Sequence, residues 1–311
     1  MLSEFELIAR YFKRGTSHTV LGIGDDGALI APTPGQELVI STDLLVEGTH
    51  FLADTDPEAL GWKTLAVNVS DIAAMGARPR WATLAAALPE PTPEWIEAFA
   101  RGVFACAQTF GIDLIGGDTT RGPRAFCVTI FGEVPAGQAL RRDRAKAGDS
   151  IWVSGQPGRA ALGLAHLQGR TVLTEPGLKE CLTSLLRPQP RVELGLALRG
   201  IANAAIDVSD GLLADLGHIL ERSEVGARLR LPGLPAAGLE RDCLLAGGDD
   251  YELVFTAPSN SDSDIAALSA VLKLPLTRLG EIIAGPPGDL TLCDDSGIDI
   301  TPTTRGYDHF K

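Results

Sequence analysis

"GIGDDG", residues 22–27, decides whether the chain has a dinucleotide-binding α/β fold. Its glycines match G-x-G-x-x-G, the dinucleotide-binding signature, which requires a helix that opens directly after the loop. The sequence "ALIAPTPGQ" follows instead, and its two prolines, Pro32 and Pro34, prevent such a helix. Asp25 and Asp26 also place two carboxylates where a pyrophosphate would lie. The stretch therefore argues against a dinucleotide-binding domain, and taken alone it is a tight turn with two solvated aspartates.

The bulk composition excludes several classes of protein. The chain has 311 residues, enough for two domains, and 45% of them are hydrophobic, which is typical of a globular protein. Its net charge of -13 opposes a nucleic-acid partner. No apolar run approaches the ~20 residues of a membrane span, so no membrane partner is expected. The five cysteines are dispersed without a CxxC, and "MLSEFELIARYFKR" is no signal peptide, so we expect a cytoplasmic protein.

Strand-like and helical segments alternate along the whole chain. Two long helices carry start and stop signals, Asp56 with Gly76 and Thr92 with Gly111. A polar, basic, turn-rich stretch, "VPAGQALRRDRAKAGD", separates this part from a second run of strands and helices. The pattern predicts two α/β or α+β domains, residues 1–136 and 137–311. Phe5, Ile8 and Phe12 have helical spacing and predict a surface helix before the first domain's strands.

Acidic residues recur at the ends of apolar segments. A buried carboxylate is costly unless it is paired or bound to a metal, and few basic residues lie near these motifs. Hard oxygen ligands in such number suit Mg²⁺ or Ca²⁺, and Mg²⁺ beside glycine turns indicates a nucleotide polyphosphate. Helix caps and turns would explain any single case. The acids concerned are Asp43, Asp71, Asp118, Asp207, Asp210, Asp249 and Asp250, and Asn68 lies three residues before Asp71, on the same face of a helix.

Several kinds of site are excluded, and others stay open. The chain has no G-x-x-x-x-G-K-[ST] P-loop, no protein-kinase signature set and no G-x-S-x-G nucleophile elbow. His50 is either a site residue, because it follows Asp43 closely, or a surface histidine. Two other classes compete with a nucleotide enzyme. One is a metal-dependent phosphohydrolase, and the other is a non-catalytic Ca²⁺-binding module, which is disfavoured because no D-x-[DN]-x-[DN]-G loop occurs.

An ordered set of motifs identifies a family. "GIGDDGA", "STDLLVEGTHF", "NVSDIAAMGA", "LIGGDTTRGP", "DVSDGLLADL", "GGDDYEL" and "GYDHF" together resemble thiamine-monophosphate kinase, in the superfamily of aminoimidazole ribonucleotide synthetase. Selenophosphate synthetase would need a reactive cysteine near the N-terminus, and the first here is Cys106. The hydrogenase-maturation relative would end in cysteine, and this sequence ends in Lys311. Aminoimidazole ribonucleotide synthetase itself is not excluded by the motifs.

The resemblance implies a fold, a reaction and a set of site residues. It implies two α/β domains and a homodimer whose N-terminal sheets join into a barrel. The N-terminal domain would bind ATP and Mg²⁺ and mediate dimerisation. The reaction would be ATP-dependent phosphorylation of thiamine monophosphate to thiamine diphosphate. Several Mg²⁺ ions would be held by Asp26, Ser41, Thr42, Asp43, Asp71, Asp118, Asp207 and Asp210. ATP would be bound by Gly117, Asp118, Arg142 and Ser209, and the thiamine substrate by His50, Asp249 and Thr304.

Two departures from the family pattern concern the substrate residues. The family often has glutamate at the position of Asp249 and an aromatic residue at that of Thr304. Stacking on thiamine would then come from elsewhere, with Tyr307 as one choice, or be weaker. The acceptor phosphate has a second pKa near ~6 and is largely ionised at pH 7. We therefore expect no general base and a direct in-line transfer.

Overall fold

The computed structural model describes residues 4–90 and 92–310, with the side chains of Glu4 and Phe5 outside the description. The chain forms two compact units. Unit 1 comprises Met1–Ile72 and Ala77–Gly137, and unit 2 comprises Ala73–Gly76 and Gln138–Lys311. Each unit has its own sheet and helices, which confirms the predicted two-domain α/β class.

Unit 1 is built on a mixed four-stranded sheet. It begins with a short helix, α1 (Glu4–Leu7), one π-helical turn (Ile8–Phe12) and a two-stranded pair, β1 (Thr19–Leu21) with β2 (Leu29–Ile30). The sheet has the order β3-β6-β4-β5, with helices between its strands. The bounds are β3 (Gln36–Val46), α2 (Pro57–Ala74), β4 (Arg78–Leu88), α3 (Pro93–Phe110), β5 (Asp113–Arg121) and β6 (Ala125–Pro135). The last two residues of α2 are grouped with unit 2.

Strand directions follow from the connections. Strands β3, β6 and β4 pair antiparallel, whereas β4 and β5 are parallel and are joined through α3. Parallel neighbours need such a crossover, since a tight turn can join only antiparallel strands. Strand β1 is short and ends at Leu21, directly before the "GIGDDG" loop.

The predicted helix signals are confirmed. An Asp56 carboxylate oxygen accepts the Ala59 N–H at 2.8 Å, and the Thr92 hydroxyl accepts the Trp95 N–H at 3.2 Å. These bonds satisfy donors that the first turns of α2 and α3 leave unpaired. The helices stop at Gly76 and Gly111, both left-handed. The surface helix predicted from Phe5, Ile8 and Phe12 is short: Phe12 is buried but belongs to the π-helical turn, and the side chain of Phe5 lies outside the description.

The two faces of the four-stranded sheet differ. Phe126, Val128 and Ile130 of β6 are buried, and Phe99 of α3 stacks on Phe126 with a ring separation of 4.5 Å. Alternate residues of β3 point the other way, and Leu38, Ile40 and Leu44 are 38, 58 and 53% exposed. Because successive side chains of a strand alternate between faces, one face carries the helices and the other is open and apolar.

Unit 2 contains a six-stranded sheet of order β12-β9-β11-β7-β10-β8, in which only β12 and β9 are parallel among the described residues. The strands are β7 (Asp149–Ser154), β8 (Ala204–Asp207), β9 (Gly226–Leu229), β10 (Leu253–Pro258), β11 (Leu276–Ile283) and β12 (Leu290–Leu292). The helices are α4 (Arg159–Leu167), α5 (Gly177–Leu186), α6 (Val192–Leu198), α7 (Leu212–Ser223), α8 (Leu239–Ala246) and α9 (Asp262–Leu272).

Both faces of this sheet are buried. On β7, Ile151 and Val153 belong to the apolar cluster that contains α7, whereas Trp152 belongs to the cluster that contains α6 and the α9 residue Ile265. A sheet covered on both faces needs apolar residues at consecutive positions, and all six residues of β7 are buried. This is why the β7 sequence lacks the polar alternation of a half-exposed strand.

Candidate functional site

The "GIGDDG" loop lines a cavity of unit 1 with a volume of about 680 Å³. The segment Gly116–Thr119 of β5 lines the same cavity, so Asp26 and Asp118 face one space. Ile8 and Phe12 of the π-helical turn add an apolar part to the lining. The structure therefore brings together the predicted metal ligand Asp26 and the predicted ATP-binding pair Gly117 and Asp118.

Gly117 has a conformation and surroundings that only glycine fits. Its φ is +151°, and a Cβ atom there would lie 1.8 Å from the carbonyl oxygen of Leu84 on β4. The register of β4 and β5 shifts just before it, so that Ile115 has no partner opposite it on β4. A β-bulge of this kind redirects the strand, and such bulges often lie beside active sites.

A second group of predicted residues meets where β3 contacts α2. The Ser41 hydroxyl donates to Asp71 Oδ2 at 2.5 Å, and the Asp43 N–H donates to Asn68 Oδ1 at 3.0 Å. Asn68 is fully buried and is oriented in turn by its bond to the Thr64 carbonyl. Ser41, Asp43 and Asp71 are thereby held as one set of oxygen donors on the helix-covered face of the sheet.

Thr42 and the Gly117–Asp118 segment lie apart from this set. The Thr42 side chain is on the open face, where its hydroxyl bonds that of Thr129 at 2.9 Å. In the strand register, Asp43, Val128, Leu84 and Gly117 form one row across the sheet. Three strand spacings separate the two ends of that row, which corresponds to about 14 Å. The Asp43 set and the Gly117–Asp118 segment are therefore separate groups within unit 1.

His50 lies in a turn after β3. Its Nδ1 accepts the Val46 N–H at 3.0 Å, and its own N–H donates to the Val46 carbonyl at 2.9 Å. With Nδ1 acting as an acceptor, the neutral ring carries its proton on Nε2. His50 is half-buried, so it is neither a fully solvated surface residue nor a core residue.

In unit 2, the predicted ligands Asp207 and Asp210 bracket the end of β8. Asp207 is buried, and the N–H groups of Ser209, Asp210 and Gly211 all donate to Asp215 Oδ2, at 3.1, 3.1 and 3.0 Å. Burial and the charge of Asp210 raise the pKa of Asp215 to about 7, against the opposing effect of these hydrogen bonds. Asp215 therefore fixes the backbone that carries both Ser209 and Asp210.

The loop that precedes β10 contains two non-glycine residues with left-handed backbone. Asp249 has φ +72° and Tyr251 has φ +54°. Their N–H groups donate to the carbonyls of Ser209 and Val208, each at 2.8 Å, and the Tyr251 hydroxyl donates to Asp249 Oδ1 at 2.9 Å. Backbone in this region is strained, and such strain clusters at functional sites.

The other two acids of "DDYE" have anchoring contacts. The Asp250 carboxylate accepts the N–H groups of Gly158 and Ala160 at the start of α4, and burial raises its pKa well above the usual value. Glu252 forms a two-pronged ion pair with Arg191 at 2.6 and 2.5 Å. Asp249 is half-buried, whereas Asp250 and Glu252 are buried.

The two remaining predicted residues, Arg142 and Thr304, are exposed. The Arg142 carbonyl accepts the Ser223 hydroxyl at 2.7 Å. Thr304 belongs to the C-terminal segment, which the Tyr307 N–H joins to the Asp210 carbonyl at 2.9 Å. The structure thus places the segment of Thr304 against the loop that carries Asp210.

Comparison with known proteins identifies the family. The models for AIR synthase related protein match twice, the N-terminal domain over residues 24–134 and the C-terminal domain over residues 146–293. A thiamine-monophosphate kinase from Salmonella typhimurium is 47% identical, with 99% of this chain and 98% of that protein covered. The chain belongs to the thiamine-monophosphate kinase family.

Solved structures of this kinase family have the same fold. The crystal structure of thiamine-monophosphate kinase from Stenotrophomonas maltophilia K279a has a TM-score of 0.82 and 49% identity, covering 93% of this chain and 94% of that one. A structure described as AaThiL complexed with AMPPCP and TMP has a TM-score of 0.77 and 32% identity, covering 93% and 92%. The family resemblance and the kinase class expected from the motifs are confirmed.

The donor chemistry of the kinase-family site fits magnesium. Within residues 4–90 and 92–310, no three His, Cys, Asp or Glu side chains form a ready cluster for a metal ion. Mg²⁺ does not need one, because it commonly binds one or two carboxylates together with water and substrate phosphates. Asp71 with the Ser41 hydroxyl, and Asp118 with Asp26 on the cavity wall, are oxygen donors of this kind.

The sequence reasoning missed residues that support the site from behind. Asp215 could be recognised from the sequence, because an acid in the first turn of a helix directly after "DVSDG" is placed to accept the preceding N–H groups. Asp113 is another, since it accepts the N–H groups of Ser17 and His18 and the Thr19 hydroxyl, and so fixes the start of β1. Its partners are more than 90 residues away, and nothing local indicates them.

No helix among the described residues is long and apolar enough to cross a membrane.

Proposed function

We propose that this protein transfers the γ-phosphoryl group of ATP to thiamine monophosphate, giving ADP and thiamine diphosphate. Similarity along the full chain to the Salmonella kinase carries this proposal. The related structure that contains AMPPCP and TMP supports both substrates, an ATP analogue and the phosphate acceptor. The acceptor is a phosphate monoester that is largely ionised at pH 7, so the chain has no proton to remove before the transfer.

The cavity of unit 1 is the proposed ATP site. Gly117 and Asp118 lie on its wall, and the Gly117 backbone allows a close approach because no side chain intervenes. The apolar lining from Ile8 and Phe12 is suitable for a nucleotide base. Arg142 and Ser209 are proposed as further ATP-binding residues on the family resemblance alone.

The proposed Mg²⁺ ligands are the oxygen donors that the motifs supply. When bound, Mg²⁺ would screen the repulsion between the two anionic substrates and stabilise charge on the transferring group. The chain contributes by orientation, since Ser41 fixes the Asp71 carboxylate, Asn68 fixes the Asp43 backbone, and Asp215 fixes that of Asp210. The full proposed set is Asp26, Ser41, Thr42, Asp43, Asp71, Asp118, Asp207 and Asp210.

His50, Asp249 and Thr304 are the proposed contacts to thiamine monophosphate. Asp249 is favoured over Asp250 and Glu252 because its neighbours are buried in anchoring contacts. Its shorter side chain, where relatives often have glutamate, is held by Tyr251. Thr304 lacks a ring, so stacking on the substrate would have to come from another residue of the C-terminal segment.

A homodimer formed through the open face of the four-stranded sheet is also proposed. Leu38, Ile40 and Leu44 expose apolar surface on β3, and exposed contiguous apolar surface commonly marks an interface. A second copy of the same face would cover it and give the barrel that the family resemblance implies. All five cysteines are free thiols, which suits a reducing compartment, and we propose a cytoplasmic location.

A chromatographic assay with MgATP, with and without thiamine monophosphate, tests the reaction. The proposal predicts that ADP and thiamine diphosphate form in equal amounts and only when thiamine monophosphate is present. ADP and inorganic phosphate without thiamine diphosphate would instead indicate the metal-dependent phosphohydrolase class. Ile40→Glu, examined by light scattering, tests the dimer and should yield a monomer.

A further inference from the structure

Arg124, which immediately precedes β6, contacts both ends of the segment that carries His50. We call residues 47–53 the His50 loop. The Arg124 Nη1 group donates to a Glu47 carboxylate oxygen at the start of the loop and to the Ala53 carbonyl at its end, the latter at 3.4 Å. The Glu47 N–H in turn donates to the Arg124 carbonyl at 3.1 Å. Arg124 therefore links the two ends of the His50 loop through its side chain and its carbonyl.

The same guanidinium group lies on an aromatic cluster. Its central carbon is 5.1 Å from the centre of the Trp95 ring, and Trp95 stacks on Phe99 and Phe126. Phe51 of the His50 loop packs on Phe126 with a ring separation of 5.9 Å. The arginine and the loop thus share one rigid support, and the arginine side chain is only 21% exposed.

Within the loop, hydrogen bonds carry this restraint to the imidazole. The N–H groups of Thr49 and His50 donate to the Val46 carbonyl, and the Gly48 N–H donates to the Phe51 carbonyl at 2.9 Å. The imidazole Nδ1 accepts the Val46 N–H, so the ring orientation depends on the turn. Because Arg124 fixes the loop at Glu47 and Ala53, it also restrains the turn between them and the orientation of the His50 imidazole.

We propose that Arg124 is a positioning residue for substrate binding, which holds the His50 loop so that the imidazole can contact thiamine monophosphate. The inference rests on the proposed function, because it takes His50 as a substrate contact. The guanidinium group suits the task, since its plane stacks on an aromatic ring while its edge donates hydrogen bonds. Lysine keeps the charge and the reach to Glu47 but cannot stack in this way.

The test compares Arg124→Met and Arg124→Lys with a matched control, Arg121→Met. Arg121 forms an ion pair with Glu90 at 3.0 Å, but both side chains are at least 80% exposed. For each protein, kcat and the KM values for thiamine monophosphate and for ATP are measured. Amide hydrogen exchange across residues 47–53 is recorded on the same samples.

Arg124→Met should raise KM for thiamine monophosphate about tenfold, because a charge-assisted hydrogen bond and the cation–π contact are both lost. KM for ATP should stay within about twofold, since the cavity is lined by other elements. Arg124→Lys should give a smaller rise in KM. Exchange in the His50 loop should speed up in both variants and stay unchanged in the control.

Three results would overturn the proposal. The first is an active Arg124→Met enzyme with an unchanged KM for thiamine monophosphate. The second is an equal rise in both KM values, which indicates a general structural role. The third is unchanged exchange across residues 47–53 in both Arg124 variants. A wild-type protein that forms no thiamine diphosphate overturns the proposed function and this inference together, so the two failures are distinguishable.

Discussion

Gly117→Ala tests the account of the cavity wall. The added Cβ atom would lie 1.8 Å from the Leu84 carbonyl oxygen and 2.6 Å from its carbonyl carbon. Real Cβ contacts essentially never fall below 3.0 Å, so the two strands must separate by 1.2 Å, the difference between 3.0 and 1.8 Å. Overpacking of this kind costs about 1–3 kcal/mol, and a side chain at φ +151° adds about 1–3 kcal/mol of backbone strain.

The expected loss is therefore about 2–6 kcal/mol in the free energy of unfolding. Gly116→Ala is the matched control, because a Cβ atom there would meet only Thr83 Cγ2, at an ordinary 3.8 Å. Urea unfolding followed by tryptophan fluorescence gives the difference, and Trp81 on the same β4 strand is a buried local reporter. Calorimetric titration with AMPPCP should show weaker binding to Gly117→Ala, since the displaced strand moves the cavity wall.

The reasoning is refuted if Gly117→Ala unfolds within about 0.5 kcal/mol of Gly116→Ala, a difference typical of a neutral surface substitution. It is also refuted if the unfolding free energy falls as expected while AMPPCP affinity stays unchanged. That second result would separate the bulge from nucleotide binding and would leave Gly117 with a purely structural role.

Three further predictions concern other parts of the molecule. Asp43→Asn and Asp71→Asn should each abolish turnover but leave the circular dichroism spectrum unchanged; near-normal activity in both would contradict the proposed metal ligands. Burial raises the pKa of Asp113, but hydrogen bonds from the chain at the start of β1 outweigh it and lower the pKa. The stabilising effect of the ionised Asp113 is thus present above about pH 3.9 and lost at lower pH. In urea unfolding at decreasing pH, the free energy of unfolding should therefore fall less steeply for Asp113→Asn than for the wild-type protein. Arg191→Met leaves Glu252 buried without its ion-pair partner and should destabilise by about 3–5 kcal/mol in urea, whereas under 1 kcal/mol would contradict the anchoring role.

The sequence predicts elements well where the signals are local. The caps Asp56 and Thr92 act within three residues of their partners, and the helices that they begin are found at the expected positions. Helices α5 and α8 and strand β12 lack such local signals. No side-chain cap bonds the start of α5 or α8, and β12 has three residues, too few to show a period.

The site was harder to predict because its geometry depends on register and on distant partners. The family resemblance implies that the neighbours Ser41 and Thr42 are both ligands, but strand alternation sends their side chains to opposite faces of the sheet. The spacing of Asn68 and Asp71 predicts one shared helix face, and in the structure both side chains contact β3. The support given by Asp113 and Arg124 arises only on folding, since their bonds span more than 70 residues.

The central claim is direct transfer of the γ-phosphoryl group from ATP to thiamine monophosphate. A single-turnover experiment tests it, with enzyme in excess over γ-³²P-labelled MgATP and with saturating thiamine monophosphate. The account predicts that the label passes into thiamine diphosphate in step with ADP formation, with none held on the protein at any time. Label on the protein before it reaches thiamine diphosphate, or label released only as inorganic phosphate, would contradict it.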